Sequence, residues 1–87
     1  MKLNIGKNVQ RFREAAGLTV TQLAKKTKMS QPQISRIEAN AQGLRSATAL
    51  KVAKALGVKV WALFMAPEEV DAVKDHVDIY QKKTIFG

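Results

Sequence analysis

Two glutamines and an arginine lie close together between Ser30 and Glu38, at a spacing that places them on one side of a short helix. Gln33 and Arg36 are three residues apart, so they are neighbours on a helix surface. Gln and Arg side chains carry the hydrogen-bonding groups that match the adenine and guanine edges in a DNA major groove. Gln31 and Ser35 lie on the same outer side. These residues therefore indicate either a base-reading surface or an ordinary solvated polar face.

The helix that carries these residues is the second of two short helices joined by a tight turn. Thr19 is a suitable N-cap for the first and Ser30 for the second, because a hydroxyl at this position accepts from an amide two or three residues on. The inner side of the pair is formed by Leu23, Ala24, Thr27, Ile34 and Ile37. The pattern predicts helices over about Val20–Thr27 and Gln31–Ala39.

A helix is also predicted before this pair, over about Ile5–Ala16. Asn4 is its expected cap, and Gly17 ends it in the left-handed conformation that glycine tolerates. Its apolar face is formed by Ile5, Val9, Phe12 and Ala16.

After the pair, a loop over Asn40–Arg45 leads to a helix over about Ala47–Leu56. Ser46 is its expected cap and Gly57 its stop. The inward residues are expected to be Leu50, Ala53 and Leu56.

The last third of the chain predicts a short helix over about Val60–Met65, closed by Pro67. A further helix is expected from Glu68 to about Tyr80, because acidic residues favour the positive end of a helix dipole. Residues 82–87 fit either a strand or a disordered tail.

The charge of the chain is strongly basic and unevenly placed. The 87 residues suggest one domain and carry a net charge of +8. Residues 1–66 hold 12 Lys and Arg against two acids, whereas residues 67–87 hold three Lys against five acids. A basic body favours a polyanionic partner, because neutralised phosphates release counterions. The alternative is a basic protein without such a partner.

Several function classes are excluded or disfavoured by residue types. The chain has no cysteine, so disulfides and thiolate metal sites are impossible, and His76 is its only histidine. No nucleophile, base and orienting group occur together, so we expect neither an enzyme nor a cofactor or metal site. Without an apolar run typical of a signal peptide or membrane span, we expect a cytoplasmic protein with no membrane partner.

The order and spacing of several short motifs resemble the Xre/Cro-type helix-turn-helix family of phage repressors and bacterial regulators. The resemblance covers roughly Ile5 to Phe64. It rests on Leu18 and Thr19, Leu23 and Ala24, Ser30, the run from Ile34 to Glu38, and the run from Ala53 to Val58.

The resemblance implies an all-α fold, namely a compact five-helix repressor-like DNA-binding domain followed by a C-terminal helix and a short tail. The domain would span residues 1–66, and residues 67–87 would serve dimerisation or partner binding. The third helix would read bases while the second crosses the DNA backbone.

Two residues depart from the family pattern. Val20 replaces a Gln that usually touches a phosphate, although the amides at that helix N-terminus remain available to one. Lys28 replaces a Gly in the turn, which requires either a positive φ or a shifted turn.

The resemblance also implies roles for individual residues. The base contacts would be Gln31, Gln33 and Arg36. An interhelical ion pair would join Arg13 to Glu38. The backbone contacts would be Lys7, Arg11, Arg13, Thr19, Thr21, Lys25, Lys28, Ser30, Ser35, Asn40 and Arg45. For any single Lys in this set, the alternative is a solvated surface charge.

Two apolar groups are candidates for pairing. Trp61 and Phe64 fit a domain edge as interface or as core. A second group, at helical spacing, is formed by Val70, Val73, Val77 and Tyr80. It favours a dimer seam over simple folding onto the core.

The predicted function is a repressor that binds double-stranded DNA as a homodimer on a palindromic operator. The alternative is an antitoxin that binds its operator through the same domain and a toxin protein through residues 67–87.

Overall fold

Helices account for most of the chain that the structure describes. The computed structural model describes residues 4–39 and 44–73, which form five α-helices and one 3₁₀ helix and contain no extended strand. In chain order they are α1 (Ile5–Ala15), α2 (Val20–Thr27), α3 (Gln31–Ala39), α4 (Ser46–Leu56), the 3₁₀ helix (Val60–Phe64) and α5 (Pro67–Val73). The predicted all-α class is confirmed. None of these helices is long and apolar enough to cross a membrane.

The first three helices begin at the caps that the sequence predicts. The Asn4 side chain accepts from the Lys7 amide at 2.9 Å. The hydroxyls of Thr19 and Ser30 accept from the amides three residues on, at 3.1 and 3.2 Å. Each bond satisfies one of the amides that a helix start leaves without an intrahelical partner.

Three helices end in the same backbone geometry, although the residue that adopts it differs. Gly17 and Gly57 have φ near +73° and +74°, and Lys28 has φ +59°. In each case the next amide donates back to the helix, from Leu18 to Arg13, from Met29 to Ala24 and from Val58 to Ala53. Lys28 is the only non-glycine residue with positive φ among those described. The family-typical turn is therefore kept without its glycine, at a conformational cost.

Helix α1 is the centre of the packing. It contacts α3, α4, the 3₁₀ helix and α5, while α2 packs against α3 and α4. The largest fully buried apolar side chains are Phe12, Leu23, Ile34, Leu63, Val9, Val52, Val58 and Val70. The two inward residues of α3, Ile34 and Ile37, are thus the apolar anchors of that helix.

An ion pair locks α1 to α3. Arg13 Nε donates to Glu38 Oε2 at 2.6 Å and Nη2 donates to Oε1 at 3.2 Å. Nη1 donates to the Leu18 carbonyl at 2.8 Å. Both side chains are largely buried. The hydrogen bond to Glu38 raises the pKa of Arg13 above its usual range.

A buried asparagine joins α1 to the end of the 3₁₀ helix. The Asn8 side-chain amide is fully buried, and its Nδ2 donates to the carbonyls of Leu63 (2.8 Å) and Met65. Two acceptors at one side fix which end of the amide is nitrogen. No described residue donates to the Asn8 Oδ1 atom.

The inward face of α4 differs from the prediction. Leu50 is 57% exposed, and Ala49 and Val52 are buried instead, together with Ala53 and Leu56. Apolar residues occur on several sides of this alanine-rich helix, so the sequence alone does not define which side faces the core. The buried side is the one that carries Ala49 and Val52.

Two predictions about helix ends are wrong. Ser46 is the first residue of α4, and the residue before it, Arg45, makes no side-chain cap bond. Ala16 is exposed, because it follows the last residue of α1.

The predicted fifth and sixth helices also differ in detail. The fifth is a 3₁₀ helix rather than an α-helix. Pro67 begins α5 instead of closing the helix before it, and proline suits this place because its missing N–H has no intrahelical partner there. The part of the predicted sixth helix after Val73, and the tail, lie outside the described residues.

Val70 lies in the core of the chain, with no exposed surface. Val70 is therefore not available to the predicted dimer seam, because α5 packs against α1. The division into residues 1–66 and 67–87 stays a prediction, with Val70 joined to the first unit.

We expect Glu38→Ala to lower the free energy of unfolding by about 3 kcal/mol, because it leaves a largely buried guanidinium without its partner. Urea unfolding measures the change. Glu14→Ala, on the exposed side of α1, is the control and should stay within about 0.5 kcal/mol of wild type. The Arg13→Ala, Glu38→Ala double variant should lose less than the two single losses added together. Additive losses would show that the two side chains are not coupled.

We expect Lys28→Gly to raise the free energy of unfolding by about 0.5–1 kcal/mol, because glycine adopts the left-handed conformation without steric strain. Lys26→Gly, two residues earlier inside α2, should lower it by about 1 kcal/mol. Thermal unfolding of the two variants gives opposite shifts if strain is the dominant effect. A lower melting temperature for Lys28→Gly would mean that the lysine side chain stabilises the turn more than its φ strains it.

Candidate nucleic-acid interface

The outer face of α3 is polar and open to solvent. Gln31, Gln33, Ser35 and Arg36 are all exposed, whereas Ile34 on the opposite side has no exposed surface. The helix therefore presents the predicted base-reading residues on one free side while its other side is fixed in the core.

A reciprocal pair of hydrogen bonds closes the start of α3. The Gln33 amide donates to Ser30 Oγ at 3.2 Å, and the Ser30 amide donates to Gln33 Oε1 at 2.9 Å. This is a capping box. Ser30 was expected as a cap, but the return bond from Gln33 was not, although the Ser-x-x-Gln spacing signals it.

The start of α2 is closed in the same way. The Gln22 amide donates to Thr19 Oγ1 at 3.1 Å, and the Thr19 amide donates to Gln22 Oε1 at 2.8 Å. Thr21 and Lys25 are exposed on the same helix. Both α2 and α3 thus begin with a capping box.

An open groove of about 580 Å³ runs beside α3. Gln33 and Arg36 line one side, and Arg45 and Thr48 line another. The remaining lining is apolar and comes from Met29, Ile37 and Leu44. The groove brings two predicted base contacts together with one predicted backbone contact from a separate part of the chain. The groove was not predicted from the sequence, because it brings side chains of α3 together with side chains from the start of α4 and the residues before it.

The predicted backbone contacts divide into free and engaged side chains. The exposed ones are Lys7, Thr19, Thr21, Lys25, Lys28, Ser30, Ser35 and Arg45. Among these, the hydroxyls of Thr19 and Ser30 already accept the cap bonds. Asn40 lies outside the described residues.

Two predicted arginine contacts are engaged within the chain. Arg13 uses all three guanidinium nitrogens on Glu38 and Leu18, so a phosphate at Arg13 would have to compete with these partners. Arg11 Nη2 lies 3.6 Å from Asp71 Oδ2 on α5, and both side chains are partly exposed. A phosphate at Arg11 would have to compete with this carboxylate.

Three large apolar side chains are exposed among the described residues. Trp61 is 49% exposed and Phe64 38% exposed, both on the 3₁₀ helix, which agrees with an edge position for this pair. Leu50 on α4 is more exposed than either. Val77 and Tyr80 of the predicted dimer seam lie outside the described residues, as does the side chain of Val73.

The family of the chain follows from a match to a family model described as helix-turn-helix, which covers residues 9–60. This stretch contains α2 and α3 in full. The chain belongs to the helix-turn-helix family. Its Xre-type, lambda-repressor-like character, expected from the sequence, is confirmed, and the chain is a DNA-binding transcriptional regulator. A comparison with curated proteins finds no match.

Solved structures of similar fold include two named regulators. SinR, a master regulator for biofilm formation that was solved in complex with DNA, is 29% identical with a TM-score of 0.64. That match covers 70% of this chain and 98% of the SinR chain. The hypothetical transcription factor NHTF from Neisseria is 25% identical with a TM-score of 0.69, over 79% of each chain.

The restriction-modification controller protein C.AhdI from Aeromonas hydrophila shares the fold. It is 24% identical with a TM-score of 0.65, and the match covers 70% of this chain and 92% of that chain.

Proposed function

We propose that the protein is a repressor that binds a palindromic operator as a homodimer in the cytoplasm. The observation that supports this most is the exposed polar face of α3, held by the Arg13–Glu38 pair and by two buried isoleucines. A helix that is rigidly anchored on one side and free on the other is suited to entering a major groove.

In this proposal α3 contributes Gln31, Gln33 and Arg36 to base edges. Helix α2 lies across the DNA backbone, where its N-terminal amides face a phosphate and Lys25 supplies charge. Val20 has no polar group for that phosphate, so more of the backbone contact falls on Thr21 and the lysines.

The distribution of charge supports the placement of α2 against the DNA backbone. Of the two acids in residues 1–66, Glu38 is neutralised by Arg13, and Glu14 is on α1. Exposed lysines on α2 and its turn, Lys25, Lys26 and Lys28, remain for a polyanion.

Two copies are needed to read a palindrome, with recognition helices about 34 Å apart. The molecule measures 37 × 32 × 23 Å. Two copies of this size, related by a two-fold axis, can place equivalent helices about one helical turn of DNA apart. Trp61 and Phe64 are the exposed apolar residues that we assign to the contact between copies.

Selection of bound sequences from a random DNA pool tests the proposal. We expect two inverted half-sites with centres about 10 base pairs apart. Sedimentation of the full chain should show a dimer, and Trp61→Ser should shift it toward a monomer that is still folded. Lys59→Ser, at an exposed residue next to the 3₁₀ helix, is the control. Enrichment of a single half-site by a monomer would rule out the homodimer.

The two kinds of contact should respond differently to substitution. Arg36→Ala should reduce discrimination between operator and altered operator by about 1–3 kcal/mol. Lys25→Ala should weaken binding to all sequences alike and reduce the slope of log affinity against log salt by about one. Wild-type affinity should fall about a thousandfold or more between roughly 50 and 200 mM salt, as expected for about six to ten phosphate contacts.

Fluorescence anisotropy with labelled operator and scrambled DNA measures these quantities. Lys54→Ala, on the exposed side of α4, serves as the charge control. Unchanged discrimination in Arg36→Ala would show that this side chain does not read bases.

A further inference from the structure

The capping box at the start of α3 uses one end of a side chain that is also in position to read DNA. Gln33 Oε1 accepts from the Ser30 amide at 2.9 Å, while the Gln33 amide donates to Ser30 Oγ at 3.2 Å. A glutamine side chain has one acceptor oxygen and one NH₂ group. The polar group of Gln33 that the box does not use is therefore its NH₂ group.

This matters because bases differ in what they present to the major groove. Adenine offers an acceptor at N7 and a donor at N6, so a glutamine reads it with both its oxygen and its NH₂ group. Guanine offers acceptors at both N7 and O6. The Ser30 amide holds the Gln33 oxygen back at the start of α3, so the NH₂ group is the end that is free to turn toward a base. A donor without an acceptor beside it suits guanine rather than adenine.

The neighbouring side chain has the same hydrogen-bonding character. Arg36 lines the same groove as Gln33 and carries five N–H donors and no acceptor. Gln33 and Arg36 thus both present donors at this edge of the groove, and donors match the two acceptors of guanine.

We infer that the Ser30–Gln33 capping box sets the base preference of α3, by holding the Gln33 oxygen so that Gln33 reads guanine instead of adenine. Ser30 acts as a positioning residue, and Gln33 makes the contact. This inference rests on the proposed function, since it assumes that α3 enters the major groove.

The test uses the full chain and the operator found by pool selection. The base pair read by Gln33 is the one whose preference disappears in Gln33→Ala. Wild type should prefer guanine over adenine there by roughly tenfold or more. Replacing that guanine by 7-deazaguanine, which lacks the N7 acceptor, should weaken binding severalfold, whereas inosine, which keeps N7 and O6, should not.

Two charge-matched variants separate the free end of the side chain from the box itself. Glutamate at the third helical position also forms a capping box, so Gln33→Glu and Gln22→Glu should both keep the wild-type melting temperature. Gln33→Glu should lose the guanine preference, because its free end is now an acceptor, and favour cytosine. Gln22→Glu, in the matching box of α2, should weaken all sequences alike and leave the preference unchanged.

A third variant opens the box. Ser30→Pro removes the N–H that holds the Gln33 oxygen and should shift the preference toward adenine by roughly tenfold. Thr19→Pro removes the equivalent N–H of α2 and should not shift it. If either proline variant fails to fold, the wild-type preference and the glutamate pair decide.

The outcomes distinguish this inference from the proposed function. A wild-type preference for adenine at the Gln33 position, or a guanine preference that persists in folded Ser30→Pro, would overturn the inference while leaving the repressor proposal intact. Failure of the wild type to enrich any sequence would overturn the proposed function and the inference with it.

Discussion

The ion pair between Arg13 and Glu38 is the constraint on which the position of the recognition helix depends. Helix α3 has only two buried side chains, Ile34 and Ile37, and such packing alone leaves rotation about the helix axis weakly defined. Two hydrogen bonds between a planar guanidinium and a carboxylate are directional and remove this freedom. Because the same guanidinium also binds the Leu18 carbonyl, one side chain relates α1, the entry to α2 and α3.

The boundaries of α2 and α3 could be predicted from the sequence because they are determined locally. Thr19 and Ser30 act on amides three residues away, and these contacts need no information from the rest of the chain. The ion pair between Arg13 and Glu38 was also expected, through the family resemblance, and so were the exposed positions of Gln33 and Arg36. The turn between α2 and α3 could also be predicted, although Lys28 stands where the family usually has glycine. Lys28 adopts the positive φ that this turn requires.

The features that could not be predicted depend on contacts between distant segments. Whether α4 buries Leu50 or Val52 is decided by how closely α1 and α2 approach an alanine-rich helix. Asn8 is polar in a core position because two carbonyls from the end of the 3₁₀ helix, over fifty residues away, face it. The groove beside α3 has the same origin, since Thr48 reaches it from α4 and Arg45 from the residue before α4. The role of Gln33 in the capping box was different, because the spacing signal was present and went unused.

The burial of Val70 has a consequence for how such a chain changes its partners over evolution. A recombination that attached a new segment directly after Ala66 would remove a core side chain and leave a void under α1, at a cost to folding. The same exchange made after residue 73 would leave that packing intact. The seven residues of α5 therefore belong to the same core as the helices before them.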